Sequence, residues 1–132
     1  MRVLFVCYGN AYRSPLAEAL LKKLRPDLHI ESAGLKVSIP ISTAIRKFLK
    51  THGALKFLKK TPQSIYQKNL KSFDLIVTMQ NIHTNAILRK CPECKNQIIE
   101  WNIADPYFLE HEKAKNVYKK INNKIIELAK LI

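Results

Sequence analysis

Hydrophobic residues along this chain fall into two patterns that alternate from one terminus to the other. Short runs of consecutive apolar residues are typical of strands buried on both faces of a sheet. Longer stretches with apolar residues three or four positions apart are typical of helices that bury one face. The runs predict strands at residues 3–6, 29–33, 75–78 and 97–101. Alternating strands and helices indicate an α/β fold, in which helices cover both faces of a parallel sheet.

The predicted helices lie between these strands and after the last one. Ser14–Pro15 supplies a capping hydroxyl and a proline for the start of the first helix, which Pro26 ends. A second helix is expected to begin at Pro40 and to close near Gly53. Further helices are predicted over residues 64–71, over 81–90 and from about 109 onwards. Ligands of such sheets bind beyond the carboxyl ends of the strands, so the loop after the first strand is the first candidate site.

Length and composition add an expectation about domains and location. The 132 residues are enough for one hydrophobic core, and the chain has no repeat, linker or low-complexity segment, so we predict a single domain over 1–132. The apolar N-terminal run is too short for a signal peptide or a membrane span. We therefore expect a cytoplasmic protein that does not associate with membranes.

The chain is strongly basic, with 23 Lys and Arg against 10 Asp and Glu and a net charge of +13. Such an excess attracts anions and speeds their approach. The lysines are scattered, however, and no aromatic residues alternate with them as a base-stacking surface would require. We interpret the charge as a solvated surface and not as a nucleic-acid site.

The loop after the first predicted strand has the composition of an anion-binding loop. It runs from Cys7 to Ser14, between a buried strand and a helix N-terminus, so its backbone N–H groups are expected to converge on one point. Gly9 is expected to permit a tight turn, and Asn10 tolerates left-handed geometry. The residues that we predict to bind phosphate are Tyr8, Gly9, Asn10, Ala11, Tyr12, Arg13 and Ser14.

Two side chains of this loop supply chemistry. The helix N-terminus and a neighbouring arginine favour the thiolate form of Cys7, which is the nucleophilic form. Arg13 offers a planar fork that holds two phosphate oxygens together. Ser14 is expected to cap the helix, to form a hydrogen bond with the thiolate, or to do both. A structural cysteine beside a surface arginine is the plain alternative, but it leaves the composition of the loop unexplained.

Attack of the Cys7 thiolate on a bound phosphate ester would form a phosphocysteine. This reaction also needs a proton donor for the leaving group. Asp105 is the best candidate, because it follows the last predicted strand and therefore lies at the same edge of the sheet. Asp105–Pro106 is also an ordinary turn dipeptide, and taken alone that interpretation would be preferred.

Four stretches of the chain occur together in an order that is typical of one enzyme family. They are VCYGNAYRSP at 6–15, SAG at 32–34, DLIVTM at 74–79 and DPY at 105–107. With these stretches the chain resembles the low-molecular-weight protein tyrosine phosphatase family over essentially its whole length. The resemblance implies a three-layer α/β/α fold with a central four-stranded parallel sheet and an N-terminal phosphate-binding loop.

The resemblance also implies a reaction and its participants. Cys7 would be the nucleophile, Arg13 would bind the equatorial phosphate oxygens, and Asp105 would act as general acid and then as general base. The expected substrates are phosphotyrosine proteins or small aryl phosphates, and phosphate-like oxyanions are expected to inhibit. No metal or cofactor is implied. A monomer or weak dimer is expected.

Two departures from the family pattern bear on specificity and regulation. Tyr12 stands where many members have a second cysteine, so a protective disulfide with Cys7 is not expected. The segment after Gly34 is short and has Ile39 where an aromatic pocket wall is common. We therefore predict Ile39 and Tyr107 as candidate pocket walls.

The pair Cys91 and Cys94 leaves other functions open. Thioredoxin-coupled arsenate reductases have a similar loop and two further cysteines upstream of the Asp-Pro, so the pair is a candidate redox pair working with Cys7. A small disulfide is a plainer interpretation, and a zinc site completed by His83 and His111 is another. A non-catalytic phosphate-binding module is the remaining alternative, although binding alone requires neither Cys7 nor Asp105.

Overall fold

Strands and helices alternate along the chain as the hydrophobic pattern predicts. The computed structural model describes all residues, 1–132. The main elements, in chain order, are β1 (Arg2–Cys7), α1 (Arg13–Leu24), β2 (His29–Gly34), α2 (Thr43–Thr51), β3 (Leu75–Thr78), α3 (Asn81–Lys90), β4 (Ile98–Glu100) and α4 (His111–Leu131). Short 3₁₀ turns connect several of them. None of the helices combines the length and the hydrophobicity that a membrane span requires.

The four strands form one parallel sheet in the order β2-β1-β3-β4. β1 lies in the interior of the sheet, and its register places Cys7 beside Gly34 of β2 and Val6 beside Thr78 of β3. Three strands therefore end at one edge of the sheet. This confirms the α/β fold with a central four-stranded parallel sheet, and it places the loop after β1 at the edge where ligands bind in such folds.

Helices cover both faces of the sheet, which gives three layers. Because side chains alternate along a strand, Val3, Phe5 and Cys7 enter one core with α1, α2 and α4, while Leu4 and Val6 enter a second core with α3. All five side chains are buried. Burying an aliphatic or aromatic side chain of this size contributes about 1.5–3 kcal/mol. Both cores therefore fix the end of β1, on which the candidate site depends.

Two predictions about helices are wrong. α2 begins at Thr43 and not at Pro40, because the Ser42 hydroxyl accepts a hydrogen bond from the Ala44 N–H (3.0 Å) and so caps the helix. The predicted helix over 64–71 is instead a pair of 3₁₀ turns, Ile65–Gln67 and Leu70–Ser72.

Candidate active site

The predicted catalytic side chains line one pocket at the carboxyl edge of the sheet. Its volume is about 300 Å³, and Cys7, Arg13 and Asp105 all contribute to its wall. Asn10 and Ser14 lie behind this wall and are fully buried. The complete lining is Cys7, Tyr8, Gly9, Ala11, Tyr12, Arg13, Lys36, Ser38, Ile39, Asp105, Tyr107 and Phe108.

Cys7 is the last residue of β1 and is almost fully buried, with its Sγ 2.9 Å from the Ser14 Oγ. The expected capping role of Ser14 is wrong, because α1 begins at Arg13 with Tyr12 at the N-cap and no side chain caps the helix. The Ser14 hydroxyl instead contacts the sulphur. Since no side-chain cap occupies the first-turn N–H groups of α1, they remain available to an anion beside Cys7.

Asn10 holds the loop in its turn. It has a φ of 54°, the left-handed region that asparagine tolerates better than most residues. Its Nδ2 donates to the Ser14 Oγ (2.8 Å) and to the Ser32 Oγ (2.9 Å). Its Oδ1 accepts hydrogen bonds from the Gln63 N–H (2.8 Å) and the Lys59 Nζ (2.7 Å). The buried amide is fully satisfied, so it fixes the loop against β2.

The requirement for glycine lies at Gly34 and not at Gly9. A Cβ on Gly9 would meet only the Lys36 carbonyl oxygen at 3.8 Å, and Gly9 does not have a positive φ, so the expectation of a turn that needs glycine there is wrong. A Cβ on Gly34 would lie 2.7 Å from the Asn10 nitrogen and 2.8 Å from the Tyr8 carbonyl oxygen. The end of β2 approaches the loop so closely that only glycine fits.

Arg13 is held from two other loops. Only 2% of its side chain is exposed, and its Nη1 donates to the Gln80 Oε1 (2.7 Å) and to the Ile103 carbonyl (2.9 Å). Its Nη2 lies 3.7 Å from the Asp105 Oδ2. Gln80 follows β3 and Ile103 follows β4, so the ends of two further strands orient the guanidinium. Neither residue is predicted from the sequence as part of the site. Only their positions after predicted strands could have indicated them.

Asp105 combines a structural contact with an accessible carboxylate. Its Oδ1 accepts a hydrogen bond from the Tyr107 N–H (3.1 Å) and caps the 3₁₀ turn Pro106–Phe108. The other oxygen, Oδ2, is the one nearest Arg13, and the side chain is 39% exposed. The turn interpretation and the acid interpretation of Asp-Pro are therefore compatible, since they use different oxygens of the same carboxylate.

Aromatic side chains form one side of the pocket. Tyr12 packs edge-on against Tyr107 with ring centroids 6.1 Å apart, and Tyr107 packs against Phe108 at 4.7 Å. Ile39 lines the same pocket. Neither Tyr12 nor Phe108 is predicted from the sequence as a wall residue, and Tyr12 is expected there only to bind phosphate. Phe108 is 86% exposed and stands at the rim.

His83, which the sequence suggests only as a zinc ligand, is buried behind Arg13. The His83 Nδ1 accepts a hydrogen bond from the Gln80 N–H (3.0 Å), and its Nε2 has no partner. Burial, together with the positive charge of Arg13, lowers the pKa of His83 to about 4. The neutral imidazole therefore supports the loop that carries Gln80, the partner of Arg13.

This pKa predicts an acid-dependent loss of stability. As the pH falls from 6.5 towards 4, the unfolded chain takes up a proton that buried His83 does not, so the free energy of unfolding falls by up to about 3 kcal/mol. In His83→Asn, whose amide oxygen can accept the Gln80 N–H, this part of the loss should disappear. Urea unfolding between pH 4 and 7 measures it, with His111→Asn at the exposed start of α4 as the control. Equal pH dependence in His83→Asn and the unmodified protein would refute the assignment.

Cys91 and Cys94 lie away from the pocket. They form a disulfide with each other, and both belong to the second core, whereas Cys7 belongs to the first. The structure therefore does not bring the candidate redox pair together with Cys7. The zinc alternative also lacks a ligand set, because no group of three His, Cys, Asp or Glu side chains lies together.

The family profile and the curated relatives identify one family. The family profile described as low molecular weight phosphotyrosine protein phosphatase matches residues 2–132. The Escherichia coli K12 protein Wzb, described as a low molecular weight protein-tyrosine-phosphatase, is 32% identical over 130 residues, covering 88% of this chain and 84% of that protein.

Solved structures show the same relationship. The crystal structure of the Erwinia amylovora tyrosine phosphatase AmsI has a TM-score of 0.89 and 27% identity, and the alignment covers 99% of this chain and 92% of that one. An arsenate reductase of Archaeoglobus fulgidus is also similar, with a TM-score of 0.76 and 25% identity over 97% of this chain and 98% of that one. The profile match over nearly the whole chain and the identity with Wzb establish that this chain belongs to the low molecular weight phosphotyrosine protein phosphatase family.

Proposed function

We propose that this chain hydrolyses phosphotyrosine and related aryl phosphates through a phosphocysteine formed on Cys7. The observation that carries the proposal is the convergence of Cys7, Arg13 and Asp105 on one pocket from different parts of the sequence. Each of the three supplies a function that the reaction requires: a nucleophile, a site for phosphate oxygens and a proton donor.

In the first step the Cys7 thiolate attacks phosphorus and the bond from phosphorus to the phenolic oxygen breaks. The Arg13 guanidinium and the N–H groups at the start of α1 bind the non-bridging oxygens and stabilise the charge on them. Because Gln80 and Ile103 already orient Arg13, little reorganisation is needed when phosphate binds. Protonated Asp105 donates its proton to the departing phenolate, and the phenol leaves.

In the second step water replaces the phenol. The Asp105 carboxylate takes a proton from the water, whose oxygen attacks phosphorus. The phosphorus–sulphur bond breaks, inorganic phosphate forms and the Cys7 thiolate returns. The 39% exposure of Asp105 supports this role, because the carboxyl group must meet the leaving group first and water afterwards.

The pocket walls support an aromatic substrate. Tyr12 and Tyr107, which pack edge-on against each other, give the pocket an aromatic lining, and Ile39 adds an aliphatic surface. A pocket of about 300 Å³ has room for a phenyl phosphate group. We accordingly propose that phosphotyrosine peptides are hydrolysed in preference to phosphoserine peptides, which cannot fill the space between these walls.

The reductase alternative is less well supported by the site. Reduction of arsenate by thiols passes through a disulfide with the attacking cysteine, so a second thiol must reach Cys7. Cys91 and Cys94 are bonded to each other in a different core. We expect no arsenate reduction with thioredoxin. Turnover that is lost in Cys91→Ser would instead favour the reductase.

Rates of hydrolysis of para-nitrophenyl phosphate test the proposed activity. A phosphotyrosine peptide and a phosphoserine peptide that are otherwise identical in sequence test the proposed preference. We expect hydrolysis of the aryl ester and the phosphotyrosine peptide, full activity with a chelator present, and competitive inhibition by vanadate. Absence of aryl phosphatase activity in the folded protein would refute the proposal. A single domain, a cytoplasmic location and a monomeric or weakly dimeric state remain predictions.

Asp105→Asn should reveal the general acid through its dependence on the leaving group. An amide cannot donate the proton, so kcat/KM should fall about 10²–10⁴-fold for phenyl phosphate, whose phenolate is a poor leaving group. It should fall much less for para-nitrophenyl phosphate, whose phenolate leaves without protonation. The amide oxygen can still accept the Tyr107 N–H, so the turn should persist. Equal losses with both esters would exclude Asp105 as the acid.

A further inference from the structure

A lysine outside the pocket is bonded to the back of the phosphate-binding loop. The Lys59 Nζ donates to the Asn10 Oδ1 (2.7 Å) and to the Ser32 carbonyl oxygen (2.9 Å). It also contacts the Gln63 Oε1 (3.1 Å) and, at 3.3 Å, the Ser32 Oγ. None of these partners is charged. Lys59 forms no ion pair, because the nearby carboxylates of Glu18 and Glu31 are paired with other lysines.

From Lys59 a chain of hydrogen bonds leads to the sulphur of Cys7. The lysine donates to the Asn10 Oδ1, and the Asn10 Nδ2 donates to the Ser14 Oγ (2.8 Å). Since the Ser14 oxygen accepts that bond, its own proton is free to be donated to the Cys7 Sγ at 2.9 Å. All three bonds point the same way, from a cation to the nucleophile. Hydrogen bonds in such a chain polarise one another, and those with an ionised end are the strongest.

The carboxylates near Lys59 already form ion pairs with other lysines. On α1, Glu18 bonds Lys22 at 2.6 Å and accepts the Ser32 hydroxyl. Beside the turn after Gln63, Lys68 bonds Glu31 at 2.6 Å. Burial lowers the pKa of Lys59 to about 8; Lys22 and Lys68 act in the same direction, and Glu18 and Cys7 oppose it. Lys59 is therefore largely charged at neutral pH.

We propose that Lys59 is a positioning residue that stabilises the Cys7 thiolate through Asn10 and Ser14. Its cation fixes the Asn10 amide in the orientation that donates to Ser14, and thereby directs the Ser14 proton to the sulphur. The inference rests on the proposed function of Cys7 as a thiolate. It does not depend on which phosphate ester is hydrolysed, and its tests do not measure turnover.

The pH dependence of alkylation of Cys7 by iodoacetamide tests the proposal directly, because the neutral reagent reports the thiolate itself. In Lys59→Met the midpoint should rise by about one pH unit, which is a loss of about tenfold in thiolate at pH values below the midpoint. Lys60→Met removes an exposed neighbouring charge without any of these contacts and should leave the midpoint unchanged. An unchanged midpoint in folded Lys59→Met would overturn the proposal, even if the enzyme is an active phosphatase.

A reciprocal measurement leaves Lys59 in place and so does not depend on the stability of its variant. Energetic coupling between two sites is mutual, so removal of the thiolate must also shift the titration of the lysine. In protein labelled with ¹³C at the lysine side chains, NMR should show one Nζ group that titrates near pH 8. Its midpoint should fall by about half a unit or more in Cys7→Ser. The same midpoint in both proteins would refute the coupling.

Discussion

Cys7→Ser is expected to lower kcat/KM for para-nitrophenyl phosphate at least about a thousandfold, because a serine hydroxyl in place of the thiolate is a far weaker nucleophile. The substitution keeps the side-chain shape at the end of β1, and Ser14 can still donate to the new oxygen. We therefore expect the loss to appear in kcat and not in the folding of the loop. Initial rates in the presence of a chelator measure it.

Phosphate binding provides the control for this variant. Arg13 and the N–H groups at the start of α1 remain, so Cys7→Ser should still bind inorganic phosphate or sulphate, measured by calorimetry. An inactive variant that no longer binds these anions would show that the loop has collapsed, and rates would then have to be measured in Cys7→Ala. Hydrolysis that persists in folded Cys7→Ser would exclude the phosphocysteine mechanism.

Arg13→Lys should be the second most damaging conservative substitution. A lysine keeps the charge but loses the planar fork and the two hydrogen bonds to Gln80 and Ile103. Because the guanidinium contacts the oxygens that gain charge in the transition state, we expect kcat/KM to fall by about 10²–10³. Phosphate affinity should weaken less, since ground-state binding retains the charge.

Arg46→Lys is the matched control, because Arg46 is exposed on α2 and lies outside the pocket. Its rate should be that of the unmodified protein. If Arg13→Lys retained more than about half of the activity, bidentate binding of phosphate by Arg13 would be excluded.

The fold could be predicted from the sequence because its signals are local. The apolar runs of β1 and β3 identify strands that are buried on both faces, and alternation with helices leads to a parallel sheet. Helix starts were less predictable, because several side chains compete for the same free N–H groups. At α2 a serine two residues beyond Pro40 forms the cap, and at α1 the Ser14 hydroxyl contacts Cys7 instead of the helix.

The part of the site that could be predicted consists of residues that are close together in the sequence or that directly follow a predicted strand. Cys7 and Arg13 lie in one loop whose composition indicates anion binding, and Asp105 follows the last strand. The residues that support them come from distant positions: Gln80 orients Arg13, and Lys59 holds Asn10. No local pattern distinguishes a lysine under this loop from the many lysines on the surface, so only the packed structure could identify it.

The two glycines illustrate the same limit. Gly9 stands in the loop and was expected to be required there, yet a Cβ would fit. Gly34 ends a strand with no local reason to be glycine, and the reason is the backbone of residues 8–10 only 2.7–2.8 Å from where its Cβ would lie. This close approach joins Gly34 to residues that lie 24 to 26 positions earlier in the sequence, and it depends on the register of β1 and β2.

The central claim is that phosphate is carried on Cys7, and acid quenching of the reaction tests it most directly. With para-nitrophenyl phosphate as substrate the phenolate leaves readily, so formation of the phosphoenzyme should outrun its hydrolysis. Peptide mass spectrometry of the quenched enzyme should find one phosphoryl group, on the peptide that contains Cys7, accompanied by a burst of nitrophenol equal to the enzyme present. Phosphate on another side chain, or steady hydrolysis without a burst and with Cys7 unmodified at every time point, would contradict the account.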